Sequence, residues 1–441
     1  MTTTSPAPAG TDGVAGRTAW TDEQLDAVFA PVFARIAEGA VAREQGRALA
    51  HDEVAALRAE RFGALRLPVD LGGYGATVRQ QFRLLVDLAA AESNLPQALR
   101  VHWWYVDDLL LADPGPDRDA RLAAVAGGEL VGNAITEPGV GAIDRYRTAL
   151  TPDGDGGYRL NGTKYYSTGS LYSDRILVAA DLDGERVSVL VDGDAEGVVQ
   201  HDDWDGFGQR LTASGTTVFT DVAVPADRVL GPGYGSAGRS WGTSYLQLVQ
   251  LAVLAGIARR ATDDVAGWVR ERTRTFTHAA ADLPRHDPLV QQVVGRLSAA
   301  AWSSRALVLT IADQLDRLLD AGGEDPDLLD RVELDVAHAQ AAVVPAVLDA
   351  TTQLFEVGGA SITSEKLRLD RHWRNARVIS THNPLIYKLQ TVGDQRPQRH
   401  RPPLRLERRQ AMTRGVGASV VRDHAGREHD RPHGVAPVGD R

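Results

Sequence analysis

The chain contains no cysteine, which excludes disulfides, thiolate metal sites and cysteine nucleophiles together and fits a reducing compartment. Lysine is almost missing as well: in 441 residues it occurs only as Lys164, Lys366 and Lys388, and arginine fills the other basic positions. With a net charge of −10 and few aromatic residues there is no basic, stacking surface of the kind that draws in nucleic acid. No run approaches the ~20 apolar residues of a membrane helix, and the opening "MTTTSPAPAGTDGVAGR" lacks the charged and apolar regions of a secretory signal. A cytoplasmic protein without membrane contact is expected. No H-E-x-x-H or comparable spacing occurs and the 12 histidines are scattered, so no metal is expected. "GGYG" and "GPGYG" do not fit G-x-G-x-x-G between a strand and a helix, so no nicotinamide fingerprint is present.

What is there falls into zones. Residues 1–18 are rich in Thr, Pro, Ala and Gly and have nothing to bury against the entropy of ordering, so disorder is expected. Thr21 can cap a helix, with Gln24 three residues on and Leu25, Val28, Phe29, Val32, Phe33 and Ile36 at helical spacing. Helical patterning fills an N-terminal domain over 19–128. Between 129 and 235 the texture changes to short β-branched runs punctuated by Gly, Asp and Asn, such as "RILVAADL" and "TTVFTDVAV", which predicts a β domain. Long apolar-striped segments over 236–394 predict a helical bundle. From 395 to 441 Arg, Pro, Gly and His crowd together without periodicity, and this tail is expected to be disordered.

Helices, a β domain and a bundle come in a distinctive order, and specific words sit at the joints. "LPVDLGGYGA" (67–76), "ITEPGVGAIDR" (135–145), "LNGTKYYSTGSLYSD" (160–174), "VFTDVAVPADRVLG" (218–231) and "FEVGGA" (355–360) resemble the acyl-CoA dehydrogenase superfamily over about residues 20–394. The resemblance implies a mainly α chain with a central β-barrel-like domain and a C-terminal four-helix bundle. It also implies a homotetramer with flavin between β domain and bundle. By the same resemblance Asn133, Thr136, Glu137, Thr168, Arg274 and Arg374 lie against the cofactor, with Arg274 of "ERTRTF" on its phosphate, where a guanidinium fork binds well.

A dehydrogenase of this superfamily needs a carboxylate base, and this chain offers none at either family position. There is no acid in "YLQLVQLAVLAG" (245–256) and no glutamate between Arg374 and Asp394. "DRHWRNARVISTHNPLIYK" (370–388) supplies His382 instead. With "LRVHWWYVDDLL" (99–110) and "DDWDGFGQRLTASGTTVFTDVAVPADRVL" (202–230) it resembles a branch, the two-component flavin monooxygenases of the dibenzothiophene monooxygenase type. These take reduced flavin from a separate NAD(P)H-dependent reductase and form a C4a-(hydro)peroxyflavin with O2. Reduced FMN is the implied cofactor and FAD is possible. A histidine, titrating near ~6.5, can donate or accept a proton where a glutamate would be an anion. His382 and His102 are therefore the expected catalytic histidines, with Ser167 or Thr168 as hydroxyl donors. Trp103, Trp104 and Tyr105 either wall a pocket for a small organic substrate, oxygenated at sulfur, nitrogen or aromatic carbon, or belong to the core. An FAD-dependent desaturase and a catalytically silent flavoprotein are the alternatives.

Overall fold

The first helix starts as its sequence dictates: the Thr21 hydroxyl accepts from the Gln24 N–H while the Gln24 side chain accepts from the Thr21 N–H, closing a capping box. The computed structural model describes residues 19–137, 146–232 and 240–398, all within one compact unit. Expectations placed on residues 1–18 and beyond Gln398 lie outside these, as do parts of the words at 135–145 and 231–235.

Seven helices come first: α1 (Asp22–Glu38), α2 (Ala40–Gly46), α3 (His51–Ala59), α4 (Val78–Ala91), α5 (Asn94–Ala98), α6 (Arg100–Leu111) and α7 (Pro116–Ala126). Leu25, Phe29, Val32, Phe33 and Ile36 form the buried stripe of α1, and Phe29 meets Phe62 edge to face at 5.0 Å. Thr77 and Gln80 repeat the capping box at the start of α4.

The strands are β1 (Val131–Ala134), β2 (Ala149–Pro152), β3 (Tyr158–Lys164), β4 (Arg175–Leu182), β5 (Glu185–Asp192), β6 (Val198–Gln200), β7 (Thr217–Val224) and β8 (Val229–Pro232). Among the described residues they make one sheet in the order β6-β7-β3-β2-β4-β5-β8, with β1 parallel to β4. β4 is buried from Ile176 through Asp181 because both of its faces are covered. Ile176, Val178 and Ala180 pack with Leu160, Val189 and Phe219 in the sheet's own core. Leu177 packs the other way, among Val101, Tyr105 and Val106 of α6 and Leu122 of α7. This second face welds the helical domain to the sheet.

α8 (Trp241–Glu271), α9 (Pro288–Asp320), α10 (Pro326–Gln353), α11 (Asp370–Thr381) and α12 (Leu385–Gln398) complete the fold. Asp-Pro pairs start α9 and α10: Asp287 and Asp325 cap with their carboxylates while Pro288 and Pro326 take the first helical position, where no N–H is needed. α12 carries the bundle to Gln398, past the boundary expected at 394. α8 also corrects the expectation that no segment could suit a bilayer. By length and composition it could, yet 89% of its apolar window is buried, so it serves as the bundle's core helix.

Candidate active site

α11 is pinned before it delivers its last residues. Asp264 on α8 receives Arg371 Nη2 at 2.6 Å, His372 Nε2 at 2.9 Å and Arg260 Nε at 2.7 Å. Burial opposes the charge on Asp264, but the bond from His372 and the two guanidiniums outweigh it and hold the carboxyl well below its usual range. Burial, reinforced by Arg371, pushes the His372 ring down to about 4.

At the far end of α11 the His382 ring is exposed, with Nε2 3.2 Å from Arg100 Nη1 and Nδ1 3.4 Å from the Asn383 amide. The Asn383 Nδ2 donates to Gln250 Oε1 at 3.1 Å. Where a dehydrogenase would place an acid on α8, this chain buries Gln247 and Gln250.

The loop after β3 forms the opposite side. Tyr166 has φ 63°, a left-handed conformation unusual for a non-glycine residue, and Gly169 follows at φ 78°. A Cβ at Gly169 would stand 2.0 Å from the Ala98 carbonyl, so glycine lets this loop press against the end of α5. Ser167 N–H donates to Gly215 O at 3.0 Å, and Asn133 N–H to Thr168 O at 3.3 Å, which sets β1 beside the loop.

The hydroxyls here are ordered by direction. Thr212 Oγ1 donates to Gln209 O at 2.9 Å, so at 2.7 Å it accepts from Ser214, which in turn accepts from Thr168 at 2.9 Å. The one proton of Thr168 is spent inward, on Ser214 or on Tyr166 O, and its outer side can only accept. Ser167 Oγ is buried without a hydrogen-bond partner among the described residues and keeps its donor. Asn133 Oδ1, Gln97 Oε1 and Gln247 Oε1 are buried and unpartnered in the same sense, on segments that converge on this loop and on α8. Buried polar atoms are normally satisfied, so these donors and acceptors fit a polar, planar ligand.

Several expected site residues lie elsewhere. His102 is fully buried, its Nε2 3.0 Å from Gly63 O and its Nδ1 accepting from Val131 N–H at 3.2 Å. Both ring nitrogens thus serve the backbone, and burial pushes its pKa down to about 4. It also stands two residues from Arg100, ~200° around α6, so the side chain facing His382 is on the other side of the helix. His102 thus sits in the core with both ring nitrogens engaged, apart from His382.

Arg374 is likewise spent: its Nε binds Asp370 at 2.8 Å, and its Nη1 binds Glu44 at 2.7 Å and Phe207 O at 2.8 Å. That network ties α2, α11 and the loop before β7. Glu137 is engaged as well. Its carboxylate accepts from Lys164 at 2.8 Å and from the Arg147 and Thr148 N–H groups, so it braces the sheet. Burial lowers Lys164 to about 8; for Glu137 burial works upward, but the Lys164 and backbone bonds win and the carboxyl is lowered. Trp103 and Tyr105 are buried in the core, the first edge to face with Phe62, while Trp104 is half-buried against Trp241. Thr136 and Arg274 are exposed.

Arg100, Gln97, Gln247 and Gln250 were missed by sequence reading. The available signal was polarity out of place: three glutamines and an arginine inside stretches otherwise apolar enough to be core.

Two family models match the chain: the acyl-CoA dehydrogenase middle domain over residues 132–222 and the acyl-CoA dehydrogenase C-terminal domain over 248–385. A dibenzothiophene monooxygenase from Mycolicibacterium goodii is 31% identical over 373 residues, covering 80% of this chain and 89% of its own. A probable FMNH2-dependent monooxygenase, SfnC, from Pseudomonas putida is 26% identical, covering 83% and 93%. The FMN-bound structure of TdsC from Paenibacillus sp. A11-2 superposes with a TM-score of 0.80 at 28% identity, covering 86% of this chain and 98% of that one. The chain belongs to the acyl-CoA dehydrogenase superfamily, in the flavin monooxygenase branch that contains the dibenzothiophene monooxygenases.

Proposed function

We propose that this protein is a flavin-dependent monooxygenase that uses reduced FMN and O2 to oxygenate a small organic substrate at sulfur, nitrogen or aromatic carbon. The observation that carries the reading is the substitution of the base: both acid positions are vacated, and a histidine, an arginine and amides stand around them. Without a carboxylate at either position, desaturation of an acyl thioester lacks its usual base for the α-proton.

Ser167, Thr168 and Asn133 would hold the flavin. Thr168 offers an acceptor to an N–H, Ser167 a free hydroxyl, and Asn133 an amide oxygen. When bound, reduced FMN supplies the electrons that activate O2. His382 moves or holds a proton at its ring nitrogens, within reach of the amides of α8. Burial of Ser167 and Gln247 excludes bulk water from that side, which favours oxygen transfer over loss as hydrogen peroxide. Arg274 contacts the FMN phosphate from a neighbouring subunit of a homotetramer, a role its exposure suits. Reduced FMN comes from a separate NAD(P)H-dependent reductase in the cytoplasm.

The test is to bind reduced FMN anaerobically, mix with isotopically heavy O2, and follow flavin reoxidation and label in product over a substrate panel. Reoxidation slower than that of free FMN, with label in a sulfoxide, hydroxylamine or phenol, is expected. Reoxidation at the free-flavin rate, together with reduction of bound FAD by an acyl-CoA, would hand the site to the desaturase reading.

A further inference from the structure

We propose that the hydroxyls of Thr212, Ser214 and Thr168 form a one-way relay that makes the site select reduced over oxidised FMN; the choice of ligand rests on the monooxygenase reading. Three contacts link four oxygens in series: Thr212 Oγ1 to Gln209 O at 2.9 Å, Ser214 Oγ to Thr212 Oγ1 at 2.7 Å, and Thr168 Oγ1 to Ser214 Oγ at 2.9 Å. Each hydroxyl brings one proton and the terminal carbonyl brings none, so three protons have three contacts to fill. One assignment fills them all: Thr212 donates to Gln209, Ser214 to Thr212, and Thr168 to Ser214. Any other leaves two buried oxygens facing each other with no proton between them. The alternative acceptor for Thr168, Tyr166 O at 3.3 Å, is also protein, so the outward side of this hydroxyl is an acceptor in either case.

The relay is anchored by structure that holds it in place. Gln209 is only 2% exposed and left-handed at φ 50°, and its N–H donates to Asn375 Oδ1 of α11 at 2.7 Å. Ala213, at φ 49°, and Tyr166 are left-handed too. Three of the eight non-glycine residues with positive φ among the described residues thus sit in the two loops that carry the relay. Such backbones persist only where their surroundings hold them, and here the Gly169 N–H ties the loops together by donating to Thr212 O at 3.0 Å and Ala213 O at 3.1 Å. Thr168, Thr212 and Ser214 are all buried, so bulk water does not offer the hydroxyls substitute partners.

Flavin chemistry supplies the other half of the match. Two-electron reduction turns N5 of the ring from a hydrogen-bond acceptor into an N–H donor. A hydroxyl that can only accept therefore gains a bond with the reduced ring and meets a lone pair in the oxidised one, attracting one state and repelling the other. An unconstrained threonine hydroxyl would rotate and serve both. Thr212 and Ser214 remove that freedom from behind Thr168, which makes them positioning residues. A site of this polarity takes up FMN already reduced elsewhere and releases it once reoxidised, which suits a chain without a nicotinamide fingerprint of its own.

The test is anaerobic binding of oxidised and of dithionite-reduced FMN to the full-length, flavin-free protein, followed by quenching of tryptophan fluorescence. In the native protein reduced FMN should bind at least about tenfold tighter, the effect of roughly one hydrogen bond. Equivalently, the two-electron midpoint potential of bound FMN should lie at least about 30 mV above that of free FMN. Thr212→Val keeps the side-chain shape but removes the acceptor for Ser214, which can then donate to Thr168 and free the Thr168 proton to turn outward. Oxidised FMN should then bind about tenfold tighter while reduced FMN changes by less than about threefold, a gain that general damage to the loop would not produce. Thr212→Ser, which retains the relay, should keep the native ratio. Ser214→Ala removes the inward acceptor outright, should act as Thr212→Val does, and serves if that variant does not fold. Equal affinity for the two redox states in the native protein, or one ratio shared by native, Thr212→Val and Ser214→Ala, overturns the relay and leaves the flavin site standing. Binding of neither state would remove the flavin reading and the relay with it.

Discussion

Replacing His102 with alanine separates a structural histidine from a catalytic one. The substitution removes the acceptor of the buried Val131 N–H and the partner of the half-buried Gly63 carbonyl, at a junction of α6, β1 and the turn after α3. Leaving a buried backbone group unpaired costs about 1–3 kcal/mol, so two cost about 2–6 kcal/mol before the lost ring volume is counted. The pH dependence gives an independent handle. Burial lowers the folded-state pKa from 6.5 to about 4, so the unfolded chain takes up a proton in that window that the folded chain refuses. The stabilisation is complete above about pH 6.5 and is lost as pH falls toward 4, a total of about 3 kcal/mol. His372 is lowered to about 4 as well, so the native protein should show roughly twice the acid sensitivity of a single ring and His102→Gln roughly half of the native value. Urea denaturation followed by tryptophan fluorescence at neutral and mildly acid pH reads both effects, taking the first transition of a multidomain chain. Turnover per folded, FMN-loaded protein should stay within about twofold, since both ring nitrogens are bonded to the backbone. Unchanged stability with a collapse of turnover in His102→Ala would refute this reasoning.

Two further substitutions probe the site. Arg374→Met leaves the buried Glu44 without its cation and should lower stability by about 3 kcal/mol in the same denaturation assay, with FMN affinity of the folded fraction preserved; weaker FMN binding at unchanged stability would restore it to the cofactor. Ser167→Ala removes a hydroxyl without a partner among the described residues, so stability should move by under about 0.5 kcal/mol while reduced-FMN affinity or oxygenation falls about tenfold, measured by anaerobic titration and product analysis.

Element order was legible in the sequence because it depends on local chemistry. Thr21 and Gln24 lie within one helical turn, and β4 advertises its burial as an unbroken apolar run. Family words pointed to the Ser167 loop and His382 as candidates, and the absence of an acid in the first part of α8 was readable directly. The partners were not readable. His102 is claimed by Gly63 and Val131, and Arg374 by Glu44, 330 positions earlier, so only the folded chain reveals that these side chains are taken. Arg100 stood inside a quoted word and was passed over, because periodicity marks which residues are buried and is silent on which way a buried cation points.

The burial of Lys164 has a practical consequence in a chain so poor in lysine. The side chain is fully inaccessible and bonded to Glu137, whereas Lys366 is exposed and Lys388 partly so. Of its lysines, the folded chain should therefore offer Lys366 and Lys388 to an amine-reactive probe, and gain its last lysine adduct only when the sheet around Glu137 opens. With so few sites the adducts resolve by intact mass, and the rate at which the heaviest species accumulates becomes a clock for opening of the β domain, read without any engineered label.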